Sequence, residues 1–366
     1  MIFVDVYTDW CGPCKYMEKF IFTRQAVGKK YNGAFLNYKV NAEKGEGAEI
    51  ARKYGIEAFP TFLFLNSDGY LIHKVVGEAD EIAFVNLVTE AKKQEADVNN
   101  LGNMEQRFRG GDRDPLFLHV YLDRLAEKRM TNSEVLDAYF NNLTDQQLNR
   151  DSTLIYLAKN ITGTQTSCLT YFISHYDQLS ETSKTQLARF LFDRFIRQFG
   201  GIALKEKRLL EYLTLRKFAD KLYGLNDQER SLLNQHDLKF GVLVKDYSLV
   251  KKAGYTYTTG LLSIPVDSIR REDKRRFDKA MLPFIRGERD STKMVGFEEE
   301  KKYVINIYSR EISSPLYIAA EAFSHLPPTE KPALNDALTW AQRGAELMPD
   351  VIAFPDLIKV LEKKLE

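Results

Sequence analysis

Cysteine is scarce. The 366-residue chain has three, too few for a disulfide-stapled scaffold. No apolar run approaches the roughly 20 residues a membrane-spanning helix requires. Charge of one sign is not in excess: 52 Lys and Arg against 51 Asp and Glu leave a formal charge of +1, without the basic bias of a dedicated nucleic-acid or polybasic membrane binder. There is no second CxxC and no HxxxH. Cys168 and the scattered His73, His119, His175, His236 and His325 lack the spacing of a four-ligand zinc site. What is present is apolar substance: 44% hydrophobic and 12% aromatic residues, enough to bury sizeable cores over a length that suits two or three domains.

The first hundred residues alternate between periods. Residues 2–7 (IFVDVY) read as a strand, and Asp9-Trp10-Cys11-Gly12-Pro13-Cys14 reads as a loop opening a helix. Pro13 falls in the first turn of that helix, where its missing N–H costs little, and Met17, Phe20 and Ile21 give it an apolar face. A second strand is predicted over Ala34–Val40, a short helix over Gly47–Tyr54, and a strand buried on both faces over Thr61–Leu65. Asn66-Ser67-Asp68-Gly69 signals a hairpin with a return strand from Tyr70 to Val76, and Asp80 caps a helix reaching about Lys93. The order β-α-β-α-β-β-α describes a compact α/β domain over 1–97.

The polar, glycine-containing stretch 98–114 reads as a linker. From Pro115 the texture changes to helical stripes, at Leu116–Leu125, Val135–Leu143, Leu154–Ile161, Leu169–Tyr176, Leu187–Phe199 and Leu209–Tyr223. Residues 115–366 are therefore predicted to be mostly α-helical, in antiparallel pairs. Residues 334–365 carry Ala337, Gly344, Leu347 and Pro349 where a tetratricopeptide repeat has small, small, apolar and Pro residues. No clean 34-residue period recurs, so a helical solenoid rests on one weak match. The run Arg270–Arg276 (RREDKRR) mixes signs and reads as a solvated helix face. Cys168 reads as a buried apolar residue or a free thiol.

The chemistry sits at Trp10-Cys11-Gly12-Pro13-Cys14-Lys15. A cysteine at a helix N-terminus meets free N–H groups and the positive end of the helix dipole, which favour a thiolate, and the thiolate is the attacking species in disulfide exchange. Cys14, one turn on, is placed to resolve a mixed disulfide. The other readings of the pair are a zinc half-site, an inert structural disulfide, or a redox fold whose chemistry has been retired.

WCGPCK resembles the redox motif of the thioredoxin family, and residues 1–97 resemble a thioredoxin fold without its first strand and helix. Glu18-Lys19-Phe20-Ile21-Phe22-Thr23 and Val27 are similar to the C-terminal thioredoxin-like domain of membrane thiol:disulfide interchange proteins and to secreted bacterial thioredoxin-like proteins. The resemblance implies roles. Cys11 is the nucleophile and Cys14 the resolving thiol. Asp5, six residues before Cys11, handles the resolving proton, and Lys39 is its partner. Phe59 and Pro60 form a cis-proline loop facing the motif, and Gly77 admits the substrate. Trp10, Gly12 and Pro13 shape the substrate surface. A buried carboxylate with a raised pKa suits a general base, and backbone next to a cis-proline can pair with an extended substrate strand.

The function expected is thiol:disulfide oxidoreduction at CGPC, in the reducing direction implied by Gly12-Pro13. It needs no metal and no cofactor beyond the redox-active Cys11–Cys14 disulfide. Expected partners are protein thiols and disulfides, an electron-donating thiol reductase and a protein bound by the helical region, with no nucleic acid and no transmembrane segment. The alternative is a binding or assembly protein in which the thioredoxin unit only docks; peroxide reduction by Cys11 is a weaker third reading. The strand follows Met1 directly, with no charged or apolar leader, which reads as a missing upstream segment. With that segment a periplasmic or exported location is expected, and without it a cytoplasmic one.

Overall fold

The computed structural model describes residues 1–128, 130–291 and 297–366. Contacts divide the chain into two compact units, Met1–Lys184 and Thr185–Glu366. In the first unit, four strands form one mixed sheet in the order β2-β1-β3-β4. β1 (Ile2–Tyr7) pairs in parallel with β2 (Leu36–Asn41) and antiparallel with β3 (Thr61–Leu65), which pairs antiparallel with β4 (Leu71–Val76). The parallel β1–β2 pair needs a crossover, supplied by α1 (Gly12–Tyr16), its π-helical continuation Met17–Ile21, and α2 (Gln25–Ala34). α3 (Glu46–Lys53) follows β2, and α4 (Glu81–Ala96) follows β4. The hairpin turn closes as its sequence predicts: Asn66 Oδ1 accepts from the N–H groups of Asp68 at 3.0 Å and Tyr70 at 2.8 Å, and Gly69 takes φ +77°. Asp80 caps α4 by accepting the Ala83 N–H at 2.8 Å.

Strand alternation sorts the side chains. Phe3 lies opposite Phe64 and Asp5 opposite Phe62, so these four share one face. The rings of that face form a core with Met17, Ile21, Val27, Tyr31, Phe84 and Val88. Tyr31 stacks on Phe84 at 4.5 Å between ring centroids, and its hydroxyl donates to the Phe84 carbonyl at 2.8 Å. Met17 and Ile21 tie the motif helix to this aromatic cluster. Asp5 is carried into the same layer because it is two residues from Phe3.

The opposite face presents Val4, Val6, Leu63, Ile72 and Lys74, all buried. Lys74 Nζ donates to the carbonyls of Tyr54 at 2.9 Å and Gly55 at 2.7 Å, placing a charge at the carboxyl end of α3, where it complements the helix dipole. Here the structure differs from the linker expected over 98–114. The stretch folds as α5 (Leu101–Arg109), capped by Asn100, with Leu101, Met104 and Phe108 buried. Gly102 lies so close to the sheet that a Cβ there would stand 3.0 Å from Ile72 Cδ1. The polar and glycine residues that suggested a linker are an N-cap, a close approach and a helix end; the three apolar residues between them were too few to register as a stripe.

Four helices that follow in this unit, Pro115–Glu127, Ser133–Phe140, Asp151–Asn160 and Ser167–His175, fall on the predicted stripes, and the short helix Asp145–Leu148 lies between two of them. Cys168 is fully buried. Within the second unit, Lys331–Leu347 and Ala353–Leu365 form two helices whose close contact depends on Gly344, where a Cβ would stand 2.0 Å from Phe354 Cε1. The Arg270–Arg276 run is self-paired on its outer side, Arg276 bridging Glu272 at 2.8 Å and Glu311 at 2.8 Å. Its Asp273 turns inward instead, accepting from the Tyr308 N–H at 2.7 Å.

α5 makes the region after 97 part of the sheet's packing. A fragment ending at Asp97 strips the cover from Leu71 and Ile72. At about 1.5–3 kcal/mol for each buried aliphatic side chain, it should be less stable than a fragment ending at Lys184 by about 3–6 kcal/mol. Urea unfolding of the two fragments checks this; an equal unfolding free energy extrapolated to water would show that α5 contributes nothing to the sheet.

Candidate redox site

Cys11 is the N-cap of α1, in extended conformation at φ −72°, ψ 106°. Its Sγ accepts the Cys14 backbone N–H at 3.1 Å. Pro13 occupies the first turn of the helix, where it leaves no intrahelical bond unmade. Cys11 and Cys14 are joined as a disulfide with Sγ–Sγ 2.05 Å and Cα–Cα 5.3 Å. Both are buried, Cys11 at 2% and Cys14 at 7% relative exposure, so burial does not rank Cys14 as the deeper of the two. The asymmetry lies in the hydrogen bond and the helix end, both of which favour negative charge on Cys11.

Asp5 is 4% exposed, and its Oδ1 has no hydrogen-bond partner among the described residues. Burial pushes its pKa from 3.8 up to about 6, against the nearby positive charge of Lys39 and with a smaller push from Glu18. Lys39 lies opposite Asp5 in the β1–β2 register, but its ammonium bonds elsewhere, standing 2.9 Å from Glu18 Oε1 and 4.5 Å from the centroid of the Tyr7 ring. The expected Asp5–Lys39 partnership is thus a field effect, and the ion pair belongs to Glu18. Glu18, which the sequence reading did not place in the site, follows Cys14 by four residues, a spacing that favours one side of a helix and is the signal that could have pointed to it.

The rim is built from three loops. Trp10 is 66% exposed; its Nε1 donates to Glu43 Oε1 at 2.9 Å, and its ring meets Phe59 edge-on at 5.8 Å. The Phe59–Pro60 bond is cis. The Pro60 carbonyl accepts the Gly77 N–H at 2.9 Å. Gly77 has φ +101°, a conformation suited to glycine, and no atom stands within 4 Å of where its Cβ would be; the same space is open at Gly12. Asp9 bonds Asn41 Nδ2 at 2.9 Å and Lys44 Nζ at 2.6 Å, and Lys44 holds this exposed carboxyl below the usual carboxylate range. Cys11, Cys14, Trp10, Phe59, Pro60 and Gly77 are therefore drawn together, with Asp5 in the layer under the motif helix. Cys168 takes no part: burial and nearby Asp137 push its thiol up. Among the described residues no three His, Cys, Asp or Glu side chains group as metal ligands, and no helix is long and apolar enough to cross a membrane.

Comparison with known proteins agrees with this geometry. The thioredoxin-like domain family matches residues 1–92. Thioredoxin-1 of Drosophila melanogaster is 32% identical over 93 residues, covering 25% of this chain and 80% of that protein. The chain belongs to the thioredoxin family. The thioredoxin of Borreliella burgdorferi is 38% identical over 88 residues, 24% of this chain and 69% of its own. The thiol:disulfide interchange protein DsbD of Yersinia pestis is 33% identical over 87 residues, 23% of this chain but only 15% of its own length. No solved structure matches. Together with the Cys11–Cys14 pair, this makes the chain a thioredoxin-like thiol–disulfide oxidoreductase.

The raised Asp5 pKa has a signed consequence for this thioredoxin-like domain. The folded state holds the Asp5 proton up to about pH 6, while the unfolded chain releases it near the ordinary value. Stability therefore falls as pH rises through that window and stays lowered above it. The cost at neutral pH is about 3 kcal/mol, at 1.36 kcal/mol for each tenfold change in proton affinity. Asp5→Asn should raise the melting temperature at pH 7.5 and leave it nearly unchanged at pH 3.5. A gain of equal size at both pH values would sink the assignment.

Proposed function

We propose that the chain reduces protein disulfides, with Cys11 as nucleophile and Cys14 as resolving thiol. The observation that carries this reading is the Cys14 N–H bonded to Cys11 Sγ at the start of α1, a setting that stabilises a thiolate on Cys11 and on no other cysteine of the chain. In the reduced enzyme the Cys11 thiolate attacks one sulfur of a substrate disulfide, forming a mixed disulfide and releasing the other sulfur as a thiolate. Cys14 loses its proton and attacks Cys11 Sγ. The Cys11–Cys14 disulfide closes, and the second substrate thiolate leaves. Two electrons have passed to the substrate, and an external dithiol reductase restores them; no other cofactor enters.

Asp5 takes the Cys14 proton in this scheme. Its burial beneath the motif helix and its pKa of about 6 support a carboxyl that is ionised at neutral pH yet basic enough to accept a proton. Lys39, bridged to Glu18, tunes Asp5 through its field. The reducing direction is favoured by the Gly12-Pro13 pair, which resembles reducing thioredoxins. The helices beyond 115 serve recognition of a protein partner in this reading, since disulfide exchange at a single motif needs no such extension.

Insulin reduction with dithiothreitol as donor tests the proposal. Cys11→Ser should abolish turnover, and Cys14→Ser should accumulate a mixed disulfide at Cys11, seen as a mass adduct removed by reductant. A fully active Cys14→Ser variant would refute the dithiol mechanism, and a flat wild-type trace would leave the domain as a docking module. Asp5→Asn should slow the resolving step by about 10²-fold or more, within the usual range for a general base. It should also remove a decline of that step below about pH 6; unchanged rates across pH 5–8 would leave Asp5 without a role in proton transfer.

A further inference from the structure

We propose that Glu43 is a substrate-positioning residue: it fixes the Trp10 indole as one wall of a groove that a protein disulfide lies against and a small disulfide does not reach. The inference rests on the disulfide-exchange reading above. Trp10 adjoins Cys11 in the chain and Phe59 adjoins Pro60, so the edge-on Trp10–Phe59 contact at 5.8 Å links the two loops between which a substrate must enter. Trp10 is about two thirds exposed to solvent as a residue, so packing alone does not hold it. What holds it is the 2.9 Å bond from Nε1 to the Glu43 carboxylate, a charged and therefore strong acceptor.

Glu43 is itself held in place. Its backbone N–H donates to Asn41 Oδ1 at 2.9 Å, while Asn41 Nδ2 and Lys44 Nζ grip Asp9 at 2.9 and 2.6 Å. Two consecutive residues of the motif loop, Asp9 and Trp10, are thus tied to the single segment Asn41–Lys44. This crosslinking pre-orders a large, exposed aromatic surface beside the reactive sulfurs, and pre-ordering matters only for a ligand long enough to touch it. A small aromatic disulfide engages Cys11 alone. An extended polypeptide passing Cys11 and Pro60 meets Trp10 and Phe59 as well.

The test compares wild type, Glu43→Ala and Glu43→Gln in steady-state reduction of insulin and of 5,5′-dithiobis(2-nitrobenzoate). Gln keeps an acceptor oxygen for the indole without the charge. In Glu43→Ala the KM for insulin should rise about three- to tenfold, the usual cost of ordering one side chain on binding, with kcat and the small-disulfide rate unchanged. Glu43→Gln should recover most of the loss. Fluorescence anisotropy decay reads the indole directly, because the other tryptophan, Trp340, is buried at 4% exposure; Glu43→Ala should add a fast local motion absent from wild type. An unchanged insulin KM, an equal loss toward both disulfides, or a Gln variant as impaired as Ala overturns the proposal. Wild type inactive toward both disulfides would instead defeat the oxidoreductase reading, and an unaltered anisotropy decay in Glu43→Ala would then separately show that Glu43 does not hold Trp10.

Discussion

Asp5 shares its face of β1 with Phe3, so the alternation that drives an aromatic ring into the core drives a carboxyl in beside it. The charges around the motif, Lys39 and Glu18, act on that carboxyl. Among the described residues nothing hydrogen-bonds its Oδ1, and Lys39, opposite it in the strand register, is engaged with Glu18 and the Tyr7 ring. A fully satisfied ion pair would have lowered the Asp5 pKa and made it a poor base. A wholly isolated carboxylate would have remained protonated at neutral pH. Lys39 held at one remove gives the intermediate outcome, a carboxyl near 6, and Glu18 keeps Lys39 there.

The helix above Asp5 works in the opposite electrostatic sense. At its N-terminus the Cys14 N–H and the aligned peptide dipoles favour negative charge on Cys11, while burial disfavours negative charge on Asp5. One sulfur is thereby biased toward thiolate and the proton acceptor for the other toward its neutral form. Because Met17 and Ile21 anchor the helix in the same cluster as Phe3 and Phe62, the two environments are held at a fixed separation by packing rather than by any bond between the functional groups.

Much of this was legible in the residues. The Cys11–Cys14 pair, the cis Phe59–Pro60 bond and the hairpin at Asn66–Gly69 are local signals: each depends on a few neighbouring residues, and the structure keeps each of them. What was not legible depends on contacts between segments distant in sequence. Lys39 reads as a partner for Asp5, and its ion pair with Glu18 is seen only once the Met17–Ile21 segment is placed beside β2. Glu43 looks like an ordinary surface residue until the Asn41–Lys44 segment is seen beside Trp10. α5 was hidden because a nine-residue helix bearing three buried apolar residues has almost the same composition as a linker, and its burial comes from β4, not from its own periodicity.

α5 also bears on the chemistry it does not touch. A sheet with one functional face must still bury its other face, and here α5 closes on β4 at Ile72 while α3 packs along β2, its Gly47 against Val40. Strand side chains alternate with period two, so any slip that relieved an uncovered apolar face would exchange it with the face carrying Asp5. The register that places Asp5 beneath the motif helix is therefore secured from both sides of the sheet. The ionised Asp5 lowers the stability of the folded domain at neutral pH, and that deficit has to be met by packing elsewhere in the unit. The aliphatic face closed by α5 is one source of it, which joins the first strand's chemistry to a helix that lies beyond residue 97.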